Sequence, residues 1–108
     1  MAINSKQKGK RGELEWASFC RDQGYSSRRT VQYNGKADKS KGDVDGLPGI
    51  HQEVKRVESL RLYDALDQAK RESKGAMPIV AHRKNDCEWV VIMRAKDFFK
   101  LYREYQEG

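Results

Sequence analysis

The segment GDVDGLPGIHQEVKR, residues 42–56, concentrates four groups that could bind a cation or move a proton: Asp43, Asp45, Glu53 and Lys55. Asp, Glu and Lys are depleted in strands, and a buried charge without a partner is costly. Yet the segment reads as two short strands, 42–46 and 50–57, joined at Leu47-Pro48-Gly49, a strong turn signal. The period-two alternation of a strand puts Glu53 and Lys55 on one face and Val54 on the other, and it pairs Asp43 with Asp45 on one face of the preceding strand. A short connection lets an Asp meet the Glu53/Lys55 pair. Two arrangements satisfy these charges. One is a divalent-cation site, since Mg²⁺ takes carboxylate oxygens and keeps several waters. The other is a salt bridge from Lys55 to Glu53 or Asp43 on a solvated sheet edge.

Glu13 adds a second oddity. At about 100° per residue, Leu14, Trp16, Ala17 and Cys20 centre the apolar arc of a first helix on Glu13, with Glu15 and Asp22 opposite. An acid amid a core-facing stripe needs a charge beneath it, and a site built from Asp43, Glu53 and Lys55 would supply one. A helix start that lets Glu13 swing outward is the alternative. His51, two residues before Glu53, could share its face and reads as a structural or phosphate-contacting side chain rather than a base. His82 reads as an ordinary strand residue.

The elements that must position these groups follow from local pattern. Residues 11–23 form a helix closed by Gly24, with Gly9 and Gly12 leaving its start open. Residues 28–33 make a strand, followed by a polar loop rich in Lys and Gly at 34–42. After the two strands comes a helix over 59–73, with Ser59 as N-cap and Leu62, Tyr63, Leu66 and Ala69 at helical spacing. A hairpin joins 79–83 to 89–94. A last helix, 96–105, sets Phe98, Leu101, Tyr102 and Tyr105 along one apolar stripe. The order α-β-β-β-α-β-β-α predicts an α/β fold, a mixed β-sheet flanked by helices. The 108 residues suffice for one domain, 1–108, with a basic N-terminal segment at about 1–10.

The formal charge is +6, and it is unevenly placed. Residues 1–42 hold ten Lys/Arg against four Asp/Glu, whereas 43–108 hold twelve of each. Clustered cations of this kind suit a phosphate backbone, although a solvated basic tail would have the same composition. No apolar run approaches the roughly 18 residues of a membrane span, and no signal-peptide core follows the N-terminus. Cys20 and Cys87 lie far apart without metal-ligand spacing and read as reduced thiols of a cytoplasmic protein.

Glu13, then Gly42-Asp43, then Glu53-Val54-Lys55, resembles the ordered motif of the PD-(D/E)XK nuclease superfamily, and within it the archaeal-type and phage Holliday junction resolvases. The likeness covers most of the chain. DGLPGIHQEVKR, with DALDQAKR after it, looks like the phage branch. The resemblance implies a restriction-endonuclease-like core. It implies Mg²⁺, with Mn²⁺ able to substitute, held by Asp43, Glu53, the Val54 carbonyl and Glu13. Lys55 would orient or activate the attacking water, and Gln68 would support the site from the second helix. Gly42 stands where the family has a proline before the aspartate, Asp45 is a second candidate for that aspartate, and Ser40 is offered as the serine that resolvases often carry in the preceding loop. A C2 homodimer would cut a four-way junction symmetrically, its interface on the last helix or on Trp89–Met93. Lys6, Lys8, Lys10, Arg11, Arg28, Arg29, Lys36, Lys39 and Lys41 would lie along the DNA, in a bacterial or archaeal cytoplasm and in a chain of cellular or viral origin. A nuclease for nicked, flapped or linear DNA, or a basic nucleic-acid-binding module without catalysis, are the competing expectations.

Overall fold

The computed structural model describes residues 5–30 and 42–108. Its elements are α1 (Ser5–Asp22), β1 (Arg28–Arg29), β2 (Val44–Asp45), β3 (Ile50–Arg56), α2 (Leu62–Glu72), β4 (Met77–Arg83), β5 (Val90–Met93) and α3 (Ala95–Glu107). This is the α-β-β-β-α-β-β-α order expected from the sequence. A three-stranded mixed sheet runs β3-β4-β5, and β1 and β2 form a separate antiparallel ribbon. Parallel strands need a crossover rather than a hairpin, and α2 supplies it between β3 and β4, which pair Glu53 with Val80 and Val54 with Ala81. β5 returns antiparallel to β4.

Period-two alternation sorts the sheet into two faces. On one, Val54 and Ala81 pack with Trp16, Ala17 and Cys20 of α1 and with Val44, and Trp89 closes the cluster. The Trp16 and Trp89 rings lie 5.1 Å apart, and the Trp16 indole donates to Gln52 Oε1 at 2.8 Å. On the other face Val80 packs under Ala65 and Ala69 of α2, with Leu60, Leu66 and Ile92 around them. β3 is covered on both sides, so His51, Gln52, Glu53 and Val54 are all buried although three of them are polar. α1 ends as expected at Gly24, whose φ of +99° allows a Schellman closure. Tyr25 N–H donates to the Cys20 carbonyl at 3.3 Å and Gly24 N–H to that of Arg21 at 2.9 Å.

Several boundaries differ from the expectation. α1 starts at Ser5, before Gly9 and Gly12 rather than at Arg11. Leu14 is exposed, and Glu15 binds Arg83 and Arg56 instead of facing solvent alone. β1 covers Arg28–Arg29; Val31–Tyr33, expected to continue it, lie outside the described residues. The Leu47–Ile50 turn forms, with Ile50 N–H bonded to the Leu47 carbonyl at 3.0 Å. It does not close a β2–β3 hairpin, because β2 pairs with β1. α2 is capped at Arg61 rather than Ser59: the chain must first bury Leu60 against the sheet. Tyr63 and Leu62 consequently fall on its exposed side, and Ala65 and Ala69 face the core. In α3 the side chain buried is Asp97, held by Arg94 at 2.8 Å, while Phe98, Leu101, Tyr102 and Tyr105 are exposed.

Candidate active site

Glu53 and Lys55 leave β3 on the face that α2 covers. The rise of two strand residues, about 6.5 Å, nearly matches the 5.4 Å turn of a helix, so side chains four apart on α2 stand over side chains two apart on β3. Lys55 Nζ accordingly donates to Gln68 Oε1 at 3.1 Å, and Glu72 comes down beside Glu53 and His51. The small side chains of Ala65 and Ala69 let α2 lie this close.

Asp43 reaches the same place from the chain just before β2. Gly42 has φ +83°, and its backbone rests against β3. A Cβ at this position would fall on the Gln52 carbonyl and lie 2.6 and 2.7 Å from the Gln52 carbonyl carbon and amide nitrogen. Asp43 N–H then donates to the Gln52 carbonyl at 2.7 Å, and the Val54 N–H donates to Asp43 Oδ2 at 2.9 Å. The conformation explains why glycine occupies the position at which the resemblance expects proline, whose φ is fixed near −65°.

Glu13 approaches from α1, on the opposite side of the sheet. The next helix residue back, Gly12, has no side chain, and a Cβ there would lie 2.6 Å from that of Arg56. Its absence lets α1 settle onto the end of β3. The Glu13 carboxylate accepts from Arg29 Nε at 2.6 Å and is one-fifth exposed.

Glu13, Asp43, Glu53, Lys55 and Gln68 line one cavity of about 330 Å³, together with the Val54, Arg56 and Val57 wall and Lys8 and Gly9 at its rim. Four separate segments, α1, the chain before β2, β3 and α2, converge there from the sheet and from both sides of it. Asp45 is not among the lining residues: its carboxylate accepts from the Gly46 N–H at 2.8 Å, which leaves Asp43 as the aspartate of the cavity. His82 bonds the Val57 carbonyl at 2.9 Å, an ordinary strand-end contact.

The electrostatics are those of crowded acids. The Glu53 carboxyl is pushed up to about 7, first by burial and then by Asp43 and Glu72, with the His51 hydrogen bond working against the rise. Burial likewise raises Glu13, against the hydrogen bond from Arg29, and Asp43 adds to the rise. Among the described residues, His51, Glu53 and Glu72 form a set whose ligand atoms lie within 4.8 Å of one another. A divalent cation fits this chemistry. The donors around the cavity are oxygens, as hard cations require, and a positive charge would offset the burial cost, and the repulsion from Asp43, that raise the two glutamates. Glu72 and the depth of His51 were missed in the sequence. The usable signal was the four-residue step from Gln68, which places residue 72 one turn along the same helix face.

The basic residues are more scattered. Lys8, Lys10, Arg11 and Arg28 are exposed, with Lys8 at the cavity rim, and Arg29 is committed to Glu13. Lys36, Lys39, Ser40 and Lys41 lie outside the described residues, as does the Lys6 side chain. No described helix is long and apolar enough to cross a membrane.

No protein-family model matches the chain, and no curated protein matches it in sequence. Among solved structures it is similar to Hjc, a Holliday junction resolvase from the archaeal hyperthermophile Archaeoglobus fulgidus. The TM-score is 0.59 at 20% identity, over 80% of this chain and 72% of that one.

Proposed function

We propose, from a fold shared with an archaeal Holliday junction resolvase, that this chain is a magnesium-dependent, structure-selective DNA endonuclease, itself a junction resolvase. The observation that carries the reading is the single cavity lined by Glu13, Asp43, Glu53, Lys55 and Gln68.

Asp43, Glu53, the Val54 carbonyl and Glu13 would hold the cation, Mg²⁺ or in its place Mn²⁺. When bound, it supplies Lewis-acid polarisation of a phosphoryl oxygen and acidifies water at neutral pH. The protein's own contributions can be derived from the geometry. The Val54 N–H pins Asp43 in place, so that its second oxygen is left for a ligand. Gln68 aims the Lys55 ammonium without neutralising it, which leaves a full charge to stabilise the negative charge that develops on a phosphate under attack. Arg29 occupies one Glu13 oxygen in the metal-free chain. Lys8, and Lys10 and Arg11 on the adjoining turns of α1, give the phosphate backbone its approach, and Arg28 extends the positive surface.

Symmetric cutting of a four-way junction calls for two such cavities, and we assign the C2 dimer face to α3. Its aromatic residues stack on one another, Phe98 on Tyr102 and Tyr102 on Tyr105, each with ring centres 6.1 Å apart. They cover little of their own sheet and stay about half exposed or more. Exposed Val90 and Val91 of β5 precede α3 in the chain and would extend the contact. The cellular setting that fits is the cytoplasm of a bacterium or archaeon, with the gene cellular or viral.

The test is cleavage of a four-way junction beside a flap and a linear duplex at matched salt, with Mg²⁺ and with EDTA. Mg²⁺-dependent cutting of the junction, lost in Asp43→Asn and in Lys55→Ala, is the expected result. Cutting that survives both substitutions would sink the reading. Equal cutting of all three DNAs would retain the nuclease and remove the resolvase. Salt-sensitive DNA binding with no turnover in Mg²⁺ or Mn²⁺ would leave only a binding module.

A further inference from the structure

The cavity lined by Glu13, Asp43, Glu53, Lys55 and Gln68 leaves His51 and Glu72 unused. His51 is completely buried, with Nε2 2.7 Å from Glu53 Oε1. Glu72, the last residue of α2, is partly buried and close enough to Glu53 for their carboxyls to interact as a hydrogen-bonded pair. Two carboxyls and an imidazole thus meet behind the cavity wall, on the α2 side of Glu53, with ligand atoms within 4.8 Å of one another. Two carboxylates in contact away from water require either a shared proton or a shared cation. The cluster also differs in kind from the catalytic set. Asp43, Glu13 and the Val54 carbonyl offer oxygen alone, whereas this group adds a nitrogen. Oxygen donors suit Mg²⁺, while an imidazole favours first-row transition cations.

We propose that His51, Glu53 and Glu72 form a second divalent-cation subsite, sharing Glu53 with the catalytic position and selective for a nitrogen-accepting cation such as Mn²⁺ over Mg²⁺. It rests on the proposed function only in treating Glu53 as a shared ligand. Glu53 lies against His51 through one carboxylate oxygen and also lines the cavity, so its carboxylate borders both positions. His51 is tied to Glu53 by strand alternation, and Glu72 reaches both from one turn beyond Gln68. The subsite therefore draws on the same β3–α2 register that sets Lys55.

The experiment is Mn²⁺ titration of the metal-free full-length chain by calorimetry, with electron-spin-echo spectroscopy of the bound ion. Wild type is expected to take two Mn²⁺ per chain, one of which carries an imidazole-nitrogen coupling. Mg²⁺ is expected to compete for the other ion at least tenfold better than for this one. Glu72→Gln, at a partly exposed position where folding tolerates an amide, should lose the nitrogen-coupled ion and keep the second. Asp43→Asn should do the reverse. One Mn²⁺ per chain in wild type, two ions without nitrogen coupling, or two ions unaltered by Glu72→Gln would each overturn the proposal. Failure of the nuclease reading would register separately, as absence of DNA cleavage with the Mn²⁺ count unchanged.

Discussion

Replacing Glu53 by glutamine should make the metal-free protein more stable and the enzyme inactive. The Glu53 side chain is 3% exposed, and its carboxyl is pushed from the ordinary 4.5 to about 7. In the native state it therefore holds a proton through a pH range in which the unfolded chain has released it. The native chain binds more protons than the unfolded chain between those values, so stability falls as pH rises through this window. Below pH 4.5 nothing is lost, and above pH 7 the full penalty applies. At ~1.4 kcal/mol per pH unit the penalty is about 3 kcal/mol. Glutamine keeps the shape and can still accept from His51, but it carries no charge to desolvate. Urea unfolding in EDTA should find Glu53→Gln level with wild type at pH 4.5 and about 2–3 kcal/mol more stable at pH 8. Mg²⁺ at a hundred times its Kd should then erase the difference, because it adds about 2.7 kcal/mol to a chain that binds it and little to the variant. A variant less stable than wild type in EDTA at pH 8, or a difference that does not vary with pH, would refute the reasoning.

Gly42→Ala should cost at least about 2 kcal/mol in urea unfolding, from left-handed backbone strain and from a Cβ driven into Gln52. It should also depress Mg²⁺-dependent cleavage, because Asp43 moves with the backbone. Arg29→Ala should tighten Mn²⁺ binding in the absence of DNA by several-fold, since Arg29 competes with a cation for Glu13, and should weaken DNA binding; unchanged Mn²⁺ affinity in calorimetry would count against that competition. Phe98→Glu combined with Leu101→Glu should leave circular dichroism and thermal unfolding of the monomer within about 0.5 kcal/mol, both residues being exposed. Light scattering should then find a monomer where wild type is a dimer; a variant that remains dimeric places the interface elsewhere.

Much of this architecture could be read in advance because the elements announce themselves locally. Period-two alternation across Ile50–Arg56, the turn at Pro48-Gly49 and the Gly24 stop each have a short-range cause, and the structure follows them. The same alternation brought Glu53 and Lys55 to one face. What local pattern could not carry were contacts decided by packing between elements. Leu14 lies within an apolar arc yet is exposed, because Trp16, Ala17 and Cys20 already fill the contact with the sheet. Ser59 is a good cap by composition, but Leu60 is drawn into the core and the helix must wait for Leu62. Asp45 and Asp43 were equivalent by alternation, and only the left-handed bend at Gly42 separates them. Helical spacing puts Glu72 on the Gln68 face, but its meeting with Glu53 and His51 depends on the strand–helix register.

The amide at position 68 has a consequence for how this cavity can be silenced. Asp64 and Glu72 lie one helical turn to either side of it. Gln68 is the neutral residue in a column of acids. Gln68→Glu would give Lys55 a permanent counter-ion, and a phosphate would then have to compete for a charge already claimed. One oxygen-for-nitrogen exchange, without change of shape, would convert a waiting cation into a spent one.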